Sequence, residues 1–246
     1  MRTKLVLIVI FVSSSLLGQG IEKQCLNGVD DSLRYSIEIQ EDVINEITTL
    51  SIQEDTLKIF KVQDIENIAV HANTFLEIQF RVRGGSGVRV KEKVLVCVSN
   101  GKIYRVLDIF SDVTSRVTQV YDNVADSLQF FDEKEDYHVT ISVKQKGNFY
   151  KAVLTESKKI ESKYDPSQNE SFEKTYELNF DPGGYFFYNS IKRLNKRYEV
   201  YSVKDNKAVE KFISAEVPCI ELHQGYYAFI DNEWCMNNGR DTLSCR

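Results

Sequence analysis

Residues 74–110 read TFLEIQFRVRGGSGVRVKEKVLVCVSNGKIYRVLDIF, with apolar and polar side chains alternating around two turn signals. A period of two places successive side chains on opposite faces of an extended backbone. Gly84-Gly85-Ser86-Gly87 supplies residues that tolerate positive φ, and Asn100-Gly101 between alternating runs is the strongest short-range hairpin signal. This stretch predicts three consecutive antiparallel strands.

The same grammar recurs along the chain. Residues 137–143 turn at Lys146-Gly147-Asn148 into 149–155, and 176–180 turn at Asp181-Pro182-Gly183-Gly184 into 185–188. Residues 198–203 and 208–213 flank Lys204-Asp205-Asn206-Lys207, and 220–223 turn at Gln224-Gly225 into 226–230. Shorter runs at 36–39, 48–52 and 56–62 precede the central stretch. The separations are unequal, which argues against a propeller or solenoid and for a plain meander.

The expected fold is mainly β, an antiparallel meander of hairpins, sandwich or open barrel-like, with one or two short helices. Val113, Val117, Val120, Tyr121, Val124 and Leu128 fall on one stripe at helical spacing, with Ser111 or Asp112 available as N-cap, so 113–128 is predicted as helix. Valine and threonine are weak helix formers, and propensity opposes that stripe. Residues 64–72 carry Ile65, Ile68 and Ala69 at helical spacing and predict one or two helical turns.

At the start, Arg2 and Lys4 precede an apolar run over 5–12 and a small-residue site ending at Gly18 and Gly20. That is the pattern of a cleaved export signal over 1–20. The run is too short to span a bilayer, and Glu22-Lys23-Gln24 before Cys25 is unlike the apolar approach to a lipidated cysteine. The mature protein is expected to be exported, periplasmic or extracellular, without a lipid anchor or membrane span. Its parts are expected to be a β-rich region over 21–155, a polar loop or linker over 156–174, and a β-hairpin region over 175–246 that belongs to the same domain or a second one. The net charge of −5 becomes more negative when Arg2 and Lys4 leave, and no basic cluster opposes it, which argues against nucleic acid.

Five cysteines in an oxidising compartment predict disulfides. Cys235 and Cys245 bracket a turn-rich loop and are the first pair expected. Cys97, inside an apolar run, reads as a small buried thiol. Cys25 and Cys219 then form the second candidate bridge, although spacing does not decide connectivity.

Catalytic contexts are scarce. Gly84-Gly85-Ser86-Gly87 lacks a nucleophile elbow, Asp181-Pro182-Gly183-Gly184 has no P-loop lysine after it, and the acidic run 132–136 lacks a calcium-loop arrangement. No catalytic residue, metal site or cofactor is assigned. Two carboxylate-histidine pairs, Asp136 with His138 and Glu221 with His223, share strand faces and would form a metal or proton-transfer site only if their hairpins were neighbours. Aromatics concentrate late in the chain, and Tyr226, Tyr227, Phe229 and Trp234 are the candidate ligand-binding residues, a platform for sugar rings or a protein partner. Trp234 beside Cys235 is also expected to pack over the disulfide. Together these features predict an exported, non-enzymatic binding or interaction module for a glycan or protein partner. The alternatives are a secreted hydrolase or metal-dependent enzyme, and a structural component of an envelope assembly that pairs through edge strands.

Overall fold

The computed structural model describes residues 21–246 apart from 32, 54, 86, 124–126, 148, 164, 224 and 238–240, with the side chains of 21 and 117–132 outside that description. The export signal expected over 1–20 also lies outside the described residues.

The chain is almost entirely β. A first sheet runs in order β1 (Ile21–Asn27), β2 (Arg34–Asp42), β3 (Ile47–Ile52) and β4 (Asp55–Phe60). An eight-stranded sheet follows: β5 (Val62–His71), β6 (Phe75–Val82), β7 (Val88–Ser99), β8 (Lys102–Asn123), β9 (Ser127–Lys146), β10 (Phe149–Ser162), β11 (Glu170–Asp181) and β12 (Phe186–Tyr188). Then β13 (Ser190–Ser202), β14 (Lys207–Leu222), β15 (Gly225–Ile230), β16 (Glu233–Asn237) and β17 (Thr242–Cys245) close a barrel, through a parallel pairing of β17 with β13. Every other pairing is antiparallel between strands adjacent in sequence, so the expected meander of hairpins is the architecture found.

Alternation decides which face each sheet buries. On β6, Leu76, Ile78 and Phe80 point to one side, where they pack with Ile37, Ile39, Leu50 and Ile59 of the first sheet. Phe75 points to the other side and packs with Leu95, Leu107, Val139, Leu154 and Phe187, together with Ile220, Tyr227 and Trp234 of the barrel. Strands β6 and β7 are thus covered on both faces, which is why residues 94–98 read as an unbroken apolar run. Cys97 is fully buried there as a free thiol, and burial raises its pKa.

Three expectations fail for one reason. Residues 113–128 are not helix: β8 continues to Asn123 and β9 begins at Ser127. Residues 64–72 are strand β5, not helical turns. The polar run 156–174 is the end of β10, a short 3-10 turn over Pro166–Gln168, and the start of β11. In each case cross-strand pairing satisfies backbone groups that local pattern assigned elsewhere, and the β-branched content of 113–128 agrees with strand. The polar residues of 156–174 are used in cross-strand contacts, such as Lys158 Nζ with Glu135 Oε1 at 2.8 Å.

The strand expected at 56–62 is interrupted at Lys61, where φ is +60° and the chain leaves the first sheet for the second. Its ammonium donates to Tyr201 Oη at 2.9 Å and Asn206 Oδ1 at 2.8 Å, tying that corner to the barrel. The Asn100-Gly101 corner is left-handed at both residues, with φ of +49° and +72°. A β-carbon at Gly101 meets nothing within 4 Å, so backbone strain alone acts there. Gly101→Ala is therefore expected to lower the unfolding free energy by about 1 kcal/mol in urea titration, with an unchanged m-value.

Candidate functional site

Strand β8 pairs with β7 from Lys102 to Ser115, but with β9 only from Asp112 onward. Among the described residues, no strand therefore lies beside its edge from Ile103 to Phe110. An unmet buried backbone group costs about 1–3 kcal/mol. Side chains from the other two sheets replace the missing strand. Asp55 Oδ2 accepts the Ile103 N–H at 2.7 Å, the Trp234 indole N–H donates to Arg105 O at 3.3 Å, and the Tyr227 hydroxyl accepts the Phe110 N–H at 3.1 Å. Two bulges, where Val106 and Ser111 are the extra residues against β7, lie on this same edge.

These contacts redistribute the four aromatic candidates. Tyr227 and Trp234 are buried, with 9% and 2% exposure, and serve the β8 edge, so they form no open platform. Tyr226, one residue away, lies on the opposite face of β15 against the barrel core, with Lys192 Nζ 4.8 Å from its ring centre. Phe229, half-buried and tilted against the rings of Phe186 and Trp234, is the one of the four in the wall of a groove of about 900 Å³, while Tyr226 lines a separate cleft of about 640 Å³ with Lys174, Tyr176 and His223.

The Cys235–Cys245 disulfide is present. Trp234 does not pack over it: the two sulfurs belong to the barrel core, while Trp234 points to the sheet side, as neighbouring residues on one strand must. Cys25 and Cys219 are not bonded. Cys25 is exposed on β1, and Cys219 is buried in the barrel, where desolvation pushes its thiol up to about 11.

The two carboxylate-histidine pairs do not converge. His138 Nδ1 bonds Asp112 Oδ1 at 2.5 Å, while Asp136 binds Lys134 at 2.5 Å. Glu221 pairs with Lys192, and the His223 ring lies 4.3 Å from that of Phe172. Among the described residues, no group of three or more His, Cys, Asp or Glu is placed to hold a metal ion. His223 instead contributes its backbone N–H, at 2.9 Å, to Glu156 Oε2. That buried carboxylate also accepts the hydroxyls of Tyr137 at 3.2 Å and Tyr176 at 2.8 Å, locking the β14–β15 turn onto the large sheet.

A groove of about 900 Å³ lies where all three sheets meet, between β4 and the unpartnered edge of β8. Tyr104 and Tyr185 stack within it at 3.9 Å, and Phe60 and Phe229 are further half-buried rings in its walls. Arg105 spans the two strands, donating to Lys58 O at 3.0 Å and to Asp108 Oδ2 at 3.1 Å. Beneath, the Arg246 guanidinium pairs with buried Glu92 and lies 4.7 Å from the centre of the Phe110 ring. Burial lowers the Arg246 pKa to about 10.

The arginines are thus matched by carboxylates. Lys58 and Lys204, on the rim, are exposed and have no ion-pair partner among the described residues. A half-buried aromatic wall with two uncommitted ammonium groups can hold a ring and an anionic substituent together. None of Lys58, Tyr104, Arg105 or Lys204 carries a local motif. They come together only when three sheets dock. A smaller cleft of about 320 Å³, lined by Phe110, Val113, Leu222 and Tyr226 among others, is mostly apolar.

Trp234→Phe keeps an apolar ring but leaves Arg105 O without its donor, and a loss of about 1–3 kcal/mol in denaturant unfolding is expected. Asp108 supplies a pH test. Burial, opposed by Arg105, raises its pKa to about 6, above the value of about 4 in an unfolded chain. The folded state therefore holds that proton more tightly. The resulting stability is fully present below about pH 4 and is lost as pH rises through about 6. Asp108→Asn removes the dependence, so the unfolding free energy of the native chain relative to this variant is expected to fall between pH 4 and 7, measured by denaturant titration. No protein-family model, no curated protein and no solved structure matches this chain.

Proposed function

We propose that this protein is exported and acts as a non-enzymatic binding module, with the junction groove as its ligand site. The observation that carries this reading is the pairing of half-buried rings with two unmatched lysines, Lys58 and Lys204, in a groove of about 900 Å³. That volume falls within the range of about 300–1,000 Å³ common for ligand clefts. The ligand chemistry that fits is an apolar ring face beside a negative group. The acidic chain, with a net charge of −5, makes a pair of lysines without ion-pair partners a local contrast, although Glu233 also lines the groove.

The groove is also built for retention. Its walls come from three sheets held by side-chain bonds at Asp55, Arg105, Tyr227 and Trp234, so its shape is set before a ligand arrives. Preorganisation of this kind reduces the ordering cost of binding. The carboxylate-histidine pairs that motivated an enzyme reading are engaged separately, which favours binding over turnover.

A thermal-shift screen of extracellular oligosaccharides, peptides and small anions tests the site. A ligand that raises Tm is expected to carry negative charge, to remain chemically intact, and to lose at least about tenfold in affinity when Lys58→Glu and Lys204→Glu are combined. Ligands that bind equally well to that double variant, or that are cleaved, would contradict the proposal. Export is tested by sequencing the amino terminus of protein released from cells expressing the full chain. A start at or near residue 21 is expected, and an uncut chain retained in the cytosol would contradict it.

A further inference from the structure

Strand β14 pairs with β13 from Lys207 to Cys219, but with β15 only from Cys219 to Leu222. Among the described residues, no strand lies beside the second edge of residues 207–218. Pairing with β15 stops next to Pro218, which has no N–H to continue a ladder. Residues 207–212 are all exposed, and Phe212 and Val209 remain 60% and 47% accessible. A long open edge carrying apolar side chains is a template for another strand.

We propose that this edge pairs antiparallel with the same edge of a second copy of the chain, centred on Phe212. In a two-fold antiparallel pair, opposed residues share a face, so the residue on the axis faces its own copy. Registers centred on Glu210 or Lys211 bring like charges together at the axis. Centring on Val209 opposes Lys207 with Lys211, and centring on Ile213 opposes Glu210 with Glu216. Of the registers centred from Val209 to Ile213, only Phe212 avoids a like-charge pair. It sets Phe212 against Phe212, Lys211 against Ile213, Glu210 against Ser214, and Val209 against Ala215.

The charges on this edge therefore select a register as well as discouraging others. Glu210 and Lys211 already pair within the chain, with Arg197 and Asp231, so the new pairing leaves neither without an opposite charge. The contact is small beside the roughly 1,200–2,000 Å² of a stable interface, and the dimer forms only as concentration rises. Dimerisation through β14 does not depend on the junction groove.

Sedimentation of the full mature chain at increasing concentration, with crosslinking in a Cys25→Ser background to remove the exposed native thiol, tests the proposal. Opposed Cα atoms in an antiparallel pair lie about 4.5–5.5 Å apart, within reach of a disulfide. Phe212→Cys is expected to give a covalent dimer under mild oxidation, at least about tenfold faster than Lys211→Cys or Ile213→Cys. Phe212→Glu is expected to weaken self-association by at least about tenfold, since like charges then meet on the axis. A chain that stays monomeric at every concentration, forms open-ended polymers, or crosslinks as fast at 211 or 213 as at 212 would overturn it.

Discussion

The edge of β8 between Ile103 and Phe110 runs through the interior without a neighbouring strand, and the rest of the molecule is arranged around supplying what that strand would have provided. The first sheet contributes Asp55, and the barrel contributes Tyr227 and Trp234. Arg105 answers in the other direction by capping the Lys58 carbonyl of β4. Docking of the three sheets and hydrogen bonding of β8 are one event, because neither barrel aromatic has its partner until the sheets meet. Two bulges interrupt the β7–β8 register along this same stretch, and Tyr227 and Trp234 pack in the core cluster that includes Leu107 and Ile109.

Much of the β architecture is legible in sequence because glycine corners and period-two runs are local signals. The hairpins at Asn100-Gly101, Gly147, Asp181 to Gly184 and Gly225 all lie where alternation and turn chemistry put them. Pattern misleads where a strand is wide or polar. The stripe at Val113, Val117 and Val120 fits a helix arithmetically, yet the length of the β8–β9 ladder and the β-branched composition carry it as strand. At 156–174, Glu156 occupies an inward position in the run Ala152, Leu154, Glu156, and a carboxylate there hides the strand period. Its burial makes sense only once Tyr137, Tyr176 and the His223 backbone surround it.

The candidate site is the least legible part. Aromatic concentration pointed to the late hairpins, and those residues do matter, but Tyr227 and Trp234 act as substitutes for a backbone partner. The groove beside that edge takes Phe229 from the late hairpins and recruits Lys58, Tyr104, Tyr185 and Lys204 from segments far apart in the chain. The proposed ligand role follows from that convergence: residues that close an open strand edge also leave a rigid concavity beside it, with rings in its walls and positive charge on its rim. The second open edge, on β14, has no such caps among the described residues, and its residues 207–212 are exposed.

Native-state hydrogen exchange of the Ile103 and Phe110 amides reports whether side chains close the β8 edge. Neither amide faces a strand, so protection can come only from Asp55 and the Tyr227 hydroxyl. Both amides are expected to exchange as slowly as those of the β6–β7 ladder. Exchange at the rate of an exposed loop, with β6 and β7 still protected, would show that the edge of β8 is open and that the three sheets are not joined along it.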